Sequence, residues 1–149
     1  MAPKPLIIGE APGKNGDPST PIEGRIGRRL AECCGISFEE FLETFSRRNL
    51  LDTQPQDNGK GADFNVKAAG RVARELEKQF VPGQVVLILG KRAAAAFRFI
   101  DVDYFQRFVV NGASVYVVPH PSGVNHWWNE LENELQMIRF MKRIVLEVR

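Results

Sequence analysis

Three short apolar runs, each rich in β-branched residues and bounded by glycine or proline, constrain the fold of this chain most strongly. They occupy residues 6–8, 85–89 and 115–118. Runs of this length and composition are typical of strands buried on both faces. Because segments with helical spacing alternate with them, the sequence predicts an α/β fold whose mostly parallel sheet is covered by helices on both faces.

The spacing of apolar positions predicts the intervening helices. We expect them over residues 24–34, 37–44, 62–80, 91–99 and 129–148. Gly35 is a stop signal for the first helix, and Ser37 is a capping residue for the second. Residues 49–51 predict the end of another short strand, and residues 105–110 an edge strand or an irregular segment.

Length and composition are those of an ordinary globular domain. The 149 residues suit one compact unit, so we expect a single domain over residues 1–149. The apolar runs are far shorter than the roughly 20 residues that a membrane span needs. The first residues also lack the pattern of a secretion signal. We therefore expect a cytoplasmic monomer that has no membrane partner.

The two cysteines and the charges narrow the function classes. Adjacent Cys33 and Cys34 cannot form a disulfide framework and match no metal-ligand spacing, so we expect no metal. A net charge of +2 does not by itself indicate a nucleic-acid binder. Basic residues nevertheless cluster beside the candidate loops, at Arg25, Arg28 and Arg29, at Arg47 and Arg48, and at Lys91 and Arg92. Any one cluster is typical of solvated surface, but together they favour a polyanionic partner.

Two loops that follow the first and last apolar runs carry the candidate chemistry. Glu10 lies in the loop of residues 9–13, and His120 lies in the loop of residues 119–123. Loops at the carboxyl ends of strands form the ligand sites of open α/β sheets. The first loop does not match a phosphate-binding loop, because only three residues separate Gly9 from Gly13 where four are needed. A tight strand-to-helix turn accounts for its glycines but not for Glu10.

Other candidate residues have a structural and a functional interpretation. A lone histidine is more often a structural group than a catalyst, but the flanking prolines and the small residues after His120 favour function. Of Trp127 and Trp128, at least one is expected to pack against the domain, whereas an exposed indole could stack on a base. Asn49 offers a donor and an acceptor to a pyrimidine edge, and is equally typical of a turn or cap.

Taken together, these segments resemble the uracil-DNA glycosylase superfamily across nearly the whole chain. Residues 9–13 are similar to the first motif of its iron–sulfur-containing thermophile family, and residues 24–30 to the helix that follows there. Residues 49–51 and 86–90 fit its central strands, and residues 120–122 match the second motif of the superfamily. The continuation over residues 123–125 is closer to the mismatch-specific uracil glycosylases.

This resemblance implies a three-layer α/β/α sandwich around a four-stranded, mainly parallel sheet. It also implies a monofunctional DNA glycosylase that flips uracil or a modified pyrimidine from the stack, hydrolyses its N-glycosidic bond and leaves an abasic site. His120 would donate to O2 of the departing base, and Glu10 would orient water or stabilise the cationic sugar. Ala11 stands where other branches have a water-positioning Asp or Asn.

Further roles follow from the same resemblance. Asn49 would hydrogen-bond the flipped base, which Ala11 and Ile22 would border. Val124 would be the wedge that fills the vacated space, shared with Trp127. The other expected DNA contacts are Pro12, Gly13, Lys14, Arg25, Pro121, Ser122, Gly123 and Asn125.

The chain departs from the thermophile family in three ways. It lacks the four cluster-binding cysteines, so we expect no iron–sulfur cluster and no other cofactor. Ile22 follows Pro21 where that family has an aromatic residue that stacks on uracil, so stacking would come from Ile22, Phe64 or elsewhere. No Asp or Asn occupies position 11, which favours a larger or modified pyrimidine, or weak activity on uracil.

Two other functions fit the same residues. One is a catalytically weak or inactive module of this fold that binds DNA or a protein partner, which the missing aromatic residue and the missing Asp or Asn favour. The other is a nucleoside or nucleotide hydrolase that uses the same chemistry on a small substrate. Abasic product from modified oligonucleotides would support the glycosylase, and tight DNA binding without that product would support the binding module. Activity on free nucleosides without DNA affinity would identify the hydrolase.

Overall fold

The computed structural model describes residues 3–12, 19–52, 65–122 and 125–148. Within these residues one sheet contains five strands, namely β1 (Leu6–Gly9), β2 (Ser46–Asn49), β3 (Val85–Leu89), β4 (Arg107–Val110) and β5 (Ala113–Val118). Their order in the sheet is β2-β1-β3-β5-β4. Neighbouring strands run parallel except β4, which is antiparallel to β5.

The predicted α/β class with a mostly parallel sheet is confirmed, but the expected count of four strands is wrong. The additional strand is β4, in the segment for which the sequence left an irregular conformation open. Its residues alternate between exposed and half-buried, as in an edge strand with one face in solvent. Asn111 and Gly112 join it to β5, both with positive φ (51° and 81°), as a two-residue hairpin turn of type I′ requires.

Five α-helices in the described part of the chain cover the two faces of the sheet. They are α1 (Arg25–Cys34), α2 (Phe38–Thr44), α3 (Val66–Glu77), α4 (Lys91–Ala96) and α5 (Leu131–Val148), and a 3₁₀ helix at His126–Asn129 precedes α5. Two predicted helix boundaries are confirmed. Gly35 has a left-handed conformation after the last turn of α1. At the start of α2, the Ser37 hydroxyl accepts a hydrogen bond from the Glu40 amide. Among the described helices, none is long and apolar enough to cross a bilayer.

Alternate residues of each central strand pack on opposite faces, and this produces the layers. On one face, Ile7, Leu87 and Val118 join a core cluster with side chains of α1, α2 and α5. On the other, Ile8 and Ile88 pack against α3 and α4. The layering is therefore that of an α/β/α sandwich.

Candidate active site

The candidate residues lie where the parallel strands end. Glu10 directly follows β1, Asn49 is the last residue of β2, and His120 lies two residues beyond β5. Because β1, β2, β3 and β5 are mutually parallel, these ends meet at one edge of the sheet. This edge is the usual ligand-binding position of an open α/β sheet.

A cavity of about 480 Å³ opens at this edge. Seven residues proposed from the sequence line it: Glu10, Ala11, Pro12, Ile22, Arg25, Asn49 and His120. They come from both ends of the chain and from the segment between. The cavity therefore brings together the carboxylate, the imidazole and the amide on which the predicted chemistry depends.

The Glu10 carboxylate is held by Arg92, the second residue of α4. Arg92 Nη2 donates to Glu10 Oε2 at 2.7 Å, and Arg92 Nε donates to Oε1 at 3.4 Å. The Glu10 side chain is only 14% exposed. A bidentate guanidinium pair fixes both the position and the plane of a carboxylate. From the sequence, Arg92 was noted only as part of a basic cluster, and its pairing with Glu10 was not predicted.

Gly90 separates Glu10 from His120. A Cβ built at Gly90 would lie 3.1 Å from the His120 Cβ and 3.4 Å from Glu10 Oε1. Its φ of +88° is also a conformation that other residues rarely adopt. The absence of a side chain here lets the carboxylate and the imidazole approach the same volume.

The environment of His120 favours its neutral form. Burial lowers the pKa of the imidazole; the Glu10 carboxylate opposes this shift and the Arg92 guanidinium adds to it. Among the described residues, the hydrogen bonds at His120 are formed by its backbone carbonyl and not by its imidazole ring. A neutral imidazole has one N–H donor and one acceptor nitrogen.

The backbone at His120 is anchored by its carbonyl oxygen. This oxygen accepts from the Ser122 amide at 2.9 Å, from Asn125 Nδ2 at 3.0 Å and from Trp128 Nε1 at 2.9 Å. The buried Trp128 ring is in turn covered by the Arg29 guanidinium, 4.2 Å from its centroid. The packing role expected for at least one tryptophan thus belongs to Trp128, which positions the His120 loop.

Replacing Trp128 with phenylalanine tests this anchor, because an aromatic ring remains while the indole donor is lost. We expect the free energy of unfolding to fall by about 1–3 kcal/mol, for the loss of one hydrogen bond and for the space that the smaller ring leaves in the core. Any turnover that depends on His120 should fall in kcat with little change in KM. Chemical denaturation and steady-state kinetics measure the two effects. If the variant is less stable but its kcat is unchanged, Trp128 contributes to packing and does not position His120 for the reaction.

Asn49 reaches across Gly9 toward the cavity. A Cβ built at Gly9 would lie only 2.6 Å from Asn49 Oδ1, and Ile22 Cδ1 would be 3.4 Å away. Gly9 and Asn49 are also paired across the parallel strands β1 and β2. The missing side chain of Gly9 therefore gives the Asn49 amide its place in the cavity wall.

A Gly9→Ala substitution should displace the Asn49 amide without unfolding the domain, because the amide lies at the end of a rotatable side chain. We expect about 10-fold weaker binding of any ligand whose base that amide reads, as for loss of one or two hydrogen bonds. The matched control is Gly24→Ala, at the same cavity, where among the described residues an added Cβ meets nothing within 4 Å. Equal affinity of both variants, measured by titration, would contradict the assignment.

Ile22 lines the cavity in a strained backbone conformation. Its φ is +61°, which for a β-branched residue costs on the order of 1–3 kcal/mol. Arg47 holds this loop, since its Nε donates to the Pro21 carbonyl and its Nη1 to the carbonyls of Leu42 and Phe45. Arg47 of strand β2 thus fixes this loop. The aliphatic side chain of Ile22 forms part of the cavity wall.

The sequence matches the Uracil DNA glycosylase superfamily over residues 2–144. This match spans every strand and helix that forms the cavity. The chain belongs to the uracil DNA glycosylase superfamily. Among curated proteins, none matches it. Membership of the superfamily implies that the chain binds DNA.

The other described residues that were expected to contact DNA lie away from the cavity wall. Pro121 is buried, Ser122 is half-buried, and the Asn125 amide is engaged with the His120 carbonyl and the Trp127 amide. Trp127 packs edge-on against Tyr104, with ring centroids 5.8 Å apart. None of these four is among the described residues that line the cavity. The predictions for Gly13, Lys14, Phe64, Gly123 and Val124 lie outside the described residues.

An iron–sulfur cluster, as in the thermophile family, does not fit this chain. Cys33 and Cys34 are its only cysteines, and both are buried in α1. Burial raises the pKa of Cys33 to about 11 and that of Cys34 to about 12, which disfavours the thiolates that ligate iron. A cluster needs four such ligands. These cysteines therefore serve the core between α1 and α5.

Proposed function

We propose that this chain is a monofunctional DNA glycosylase, which hydrolyses the N-glycosidic bond of uracil or a modified pyrimidine and leaves an abasic site. The observation that carries the proposal is the approach of Glu10 and His120 across Gly90 within one cavity. DNA as the substrate class follows from the superfamily. The chemistry of the cavity wall supports a pyrimidine as the base.

The base would enter this cavity after leaving the duplex or strand. A space of about 480 Å³ is ample for a pyrimidine and part of its sugar. Asn49 offers an amide donor and acceptor to the edge of the base, and Ile22 an apolar surface to its face.

The hydrolysis needs stabilisation of two opposite charges. As the glycosidic bond breaks, its electron pair leaves with the base, and negative charge develops on O2. A neutral His120 would donate its N–H to that oxygen. The sugar becomes cationic, and the Glu10 carboxylate would stabilise it or orient the water whose oxygen bonds to C1′. The water's proton leaves to solvent or to the departing base.

The reaction is proposed to be monofunctional because a lyase step requires a lysine that forms a Schiff base with the sugar. Among the described residues that line the cavity there is no lysine. Borohydride trapping with abasic DNA tests this directly. A covalent adduct of protein and DNA would show that a lysine outside that set reaches the sugar.

The experiment that tests the function uses oligonucleotides that carry uracil, hydroxymethyluracil or other modified pyrimidines, single-stranded and opposite each base. Alkaline cleavage detects abasic sites, and mass spectrometry identifies the free base. We expect cleavage at one or more modified pyrimidines. Tight binding of the same oligonucleotides without any abasic product would instead support the binding module.

One observation favours that second candidate. The Glu10 carboxylate is already paired with Arg92, as in a site that has lost its reaction and kept its charge balance. The Arg92 side chain is 57% exposed, however, so it is open to solvent and can rearrange when a phosphate approaches. The catalytic function is therefore preferred.

The pH dependence of base release should report His120. Because burial lowers the pKa of this imidazole, the neutral donor persists as pH falls through 6.5, and the rate should fall only at lower pH. Since the Arg92 guanidinium helps to lower this pKa, Arg92→Gln should move the acidic limb to higher pH. Single-turnover rates from pH 4.5 to 8 measure both effects. A rate that rises as His120 becomes protonated would mean that the imidazolium is the active form.

A further inference from the structure

A second concave surface lies near the end of β5. The backbone amide of Phe105 donates to the carbonyl of Val117, near the end of β5, at 2.9 Å. Phe105 therefore lies on the same edge of the sheet as the cavity, on the side of β4. Beside it a groove of about 300 Å³ is lined by Phe105, Gln136, Arg139, Phe140 and Arg143. We call it the α5 groove.

The half-buried ring of Phe105 forms the floor of the α5 groove, supported from below by the buried ring of Phe140. The rings of Phe105 and Phe140 have centroids 4.9 Å apart. Phe105 has a φ of +68°, a strained conformation for a bulky residue, and strain of this kind concentrates at binding sites. Bases of any sequence stack on such aromatic surfaces.

The rim of the groove is polar and basic. Exposed Arg139 and Arg143 lie one turn apart on α5, with the Gln136 amide on the preceding turn. The Arg143 guanidinium carbon is 5.3 Å from the Phe140 centroid, and Arg143 also forms an exposed ion pair with Glu147 at 3.6 Å. Two guanidinium groups above an aromatic floor are complementary to the phosphate and base of a nucleotide.

Aromatic and basic side chains extend from the groove toward the ion pair of Arg92 with Glu10. Trp127 contacts Phe105 and Tyr104, with centroid distances of 6.0 and 5.8 Å. Lys91 Nζ lies 5.5 Å from the Tyr104 ring, and Lys91 directly precedes Arg92, the partner of Glu10. A DNA strand that leaves the cavity on this side thus meets aromatic and basic groups along its way.

We propose that the α5 groove binds a nucleotide of the same DNA strand that enters the cavity, with the base against the half-buried ring of Phe105 and the phosphates at Arg139 and Arg143. The proposal rests on the proposed function only in that the cavity receives a flipped nucleotide. The groove would then bind the strand on only one side of the target base. The strand should gain affinity by extension in one direction from the target base, and not in the other.

The test uses fluorescein-labelled single-stranded oligothymidylates with one deoxyuridine, extended stepwise on its 5′ or its 3′ side. Fluorescence anisotropy measures the dissociation constant. We expect about 10-fold tighter binding upon extension on one side only, in line with stacking of one base and contact to two phosphates. A tetrahydrofuran spacer moved along that extension should weaken binding at one position, where the groove holds the base.

Variants assign the effect to the groove. Arg139→Gln with Arg143→Gln should abolish the gain from extension and reduce the slope of log affinity against log salt by about 1.4, the value for two phosphates of a single strand. The matched control is Lys67→Gln with Arg71→Gln, which removes two exposed charges from α3 on the other face of the sheet. Thermal melting checks that both double variants fold.

Three outcomes would overturn the proposal: equal gains on both sides, an unchanged gain in the Arg139 and Arg143 variant, or binding of free thymidine monophosphate in the groove without any effect of strand length. Base release from the shortest oligonucleotide is measured in parallel. A one-sided gain without base release on any substrate would keep the groove and reject the proposed function, so the two failures are distinguishable.

Discussion

Replacing His120 with alanine should lower the single-turnover rate of base release by about 100- to 1000-fold, because the donor aimed at the leaving oxygen is lost. The corresponding cost in the transition state is about 3–4 kcal/mol. DNA affinity should change little, since the loss concerns charge that develops only as the bond breaks. Rates at saturating enzyme, on the oligonucleotide that the wild type cleaves best, measure the effect.

The chain provides a matched control for this variant. His126 is its only other histidine, exposed in the 3₁₀ helix that follows the same loop. His126→Ala should release base at the wild-type rate and keep the acidic limb of the pH profile, which His120→Ala should lose. Equal rates in the two variants would remove His120 from the mechanism.

Glu10→Gln should reduce the rate by about 100- to 10,000-fold, the usual range for loss of a positioned acid–base group. Glutamine keeps the shape of the side chain and removes the charge, so the variant separates electrostatics from packing. Because the Glu10 carboxylate raises the pKa of His120, any residual activity should have its acidic limb at lower pH. Single-turnover rates across pH check both expectations.

Glu75→Gln is the control for this charge change. Glu75 forms a 3.1 Å ion pair with Lys78 on the surface of α3, so the substitution also removes one carboxylate from an ion pair. We expect wild-type rates from it. A Glu10→Gln variant as active as this control would show that the carboxylate serves the fold rather than the reaction.

The fold was predictable where residues are buried on both sides. Strands β1, β3 and β5 are central, and their continuous apolar runs mark them in the sequence. The edge strands were predicted less sharply. Strand β2 is polar throughout, and the apolar pair of residues 50–51 lies just after it rather than in it. Strand β4 has one face in solvent and only four residues, so the sequence left an irregular segment open there, although the Asn111-Gly112 pair is typical of a hairpin turn.

The sequence predicted those cavity residues that lie at the ends of strands. Glu10, Asn49 and His120 each follow or end a strand, and parallel pairing brings such ends together. The roles of Arg92 and Trp128 could not be predicted from the sequence. Arg92 meets Glu10 across 82 positions of sequence, through a contact that only the packing of α4 creates. The indole of Trp128 acts through a backbone carbonyl, which leaves no pattern in side-chain chemistry.

The most direct test of the account is a double-mutant cycle with Glu10→Gln and His120→Ala, measured by single-turnover base release. If both groups act on one sugar–base bond, the double variant should be scarcely slower than the slower single variant, because groups that act as a unit are not additive. A loss equal to the product of the two single losses would mean that they act independently. Base release that is undiminished in the double variant would contradict the shared site altogether.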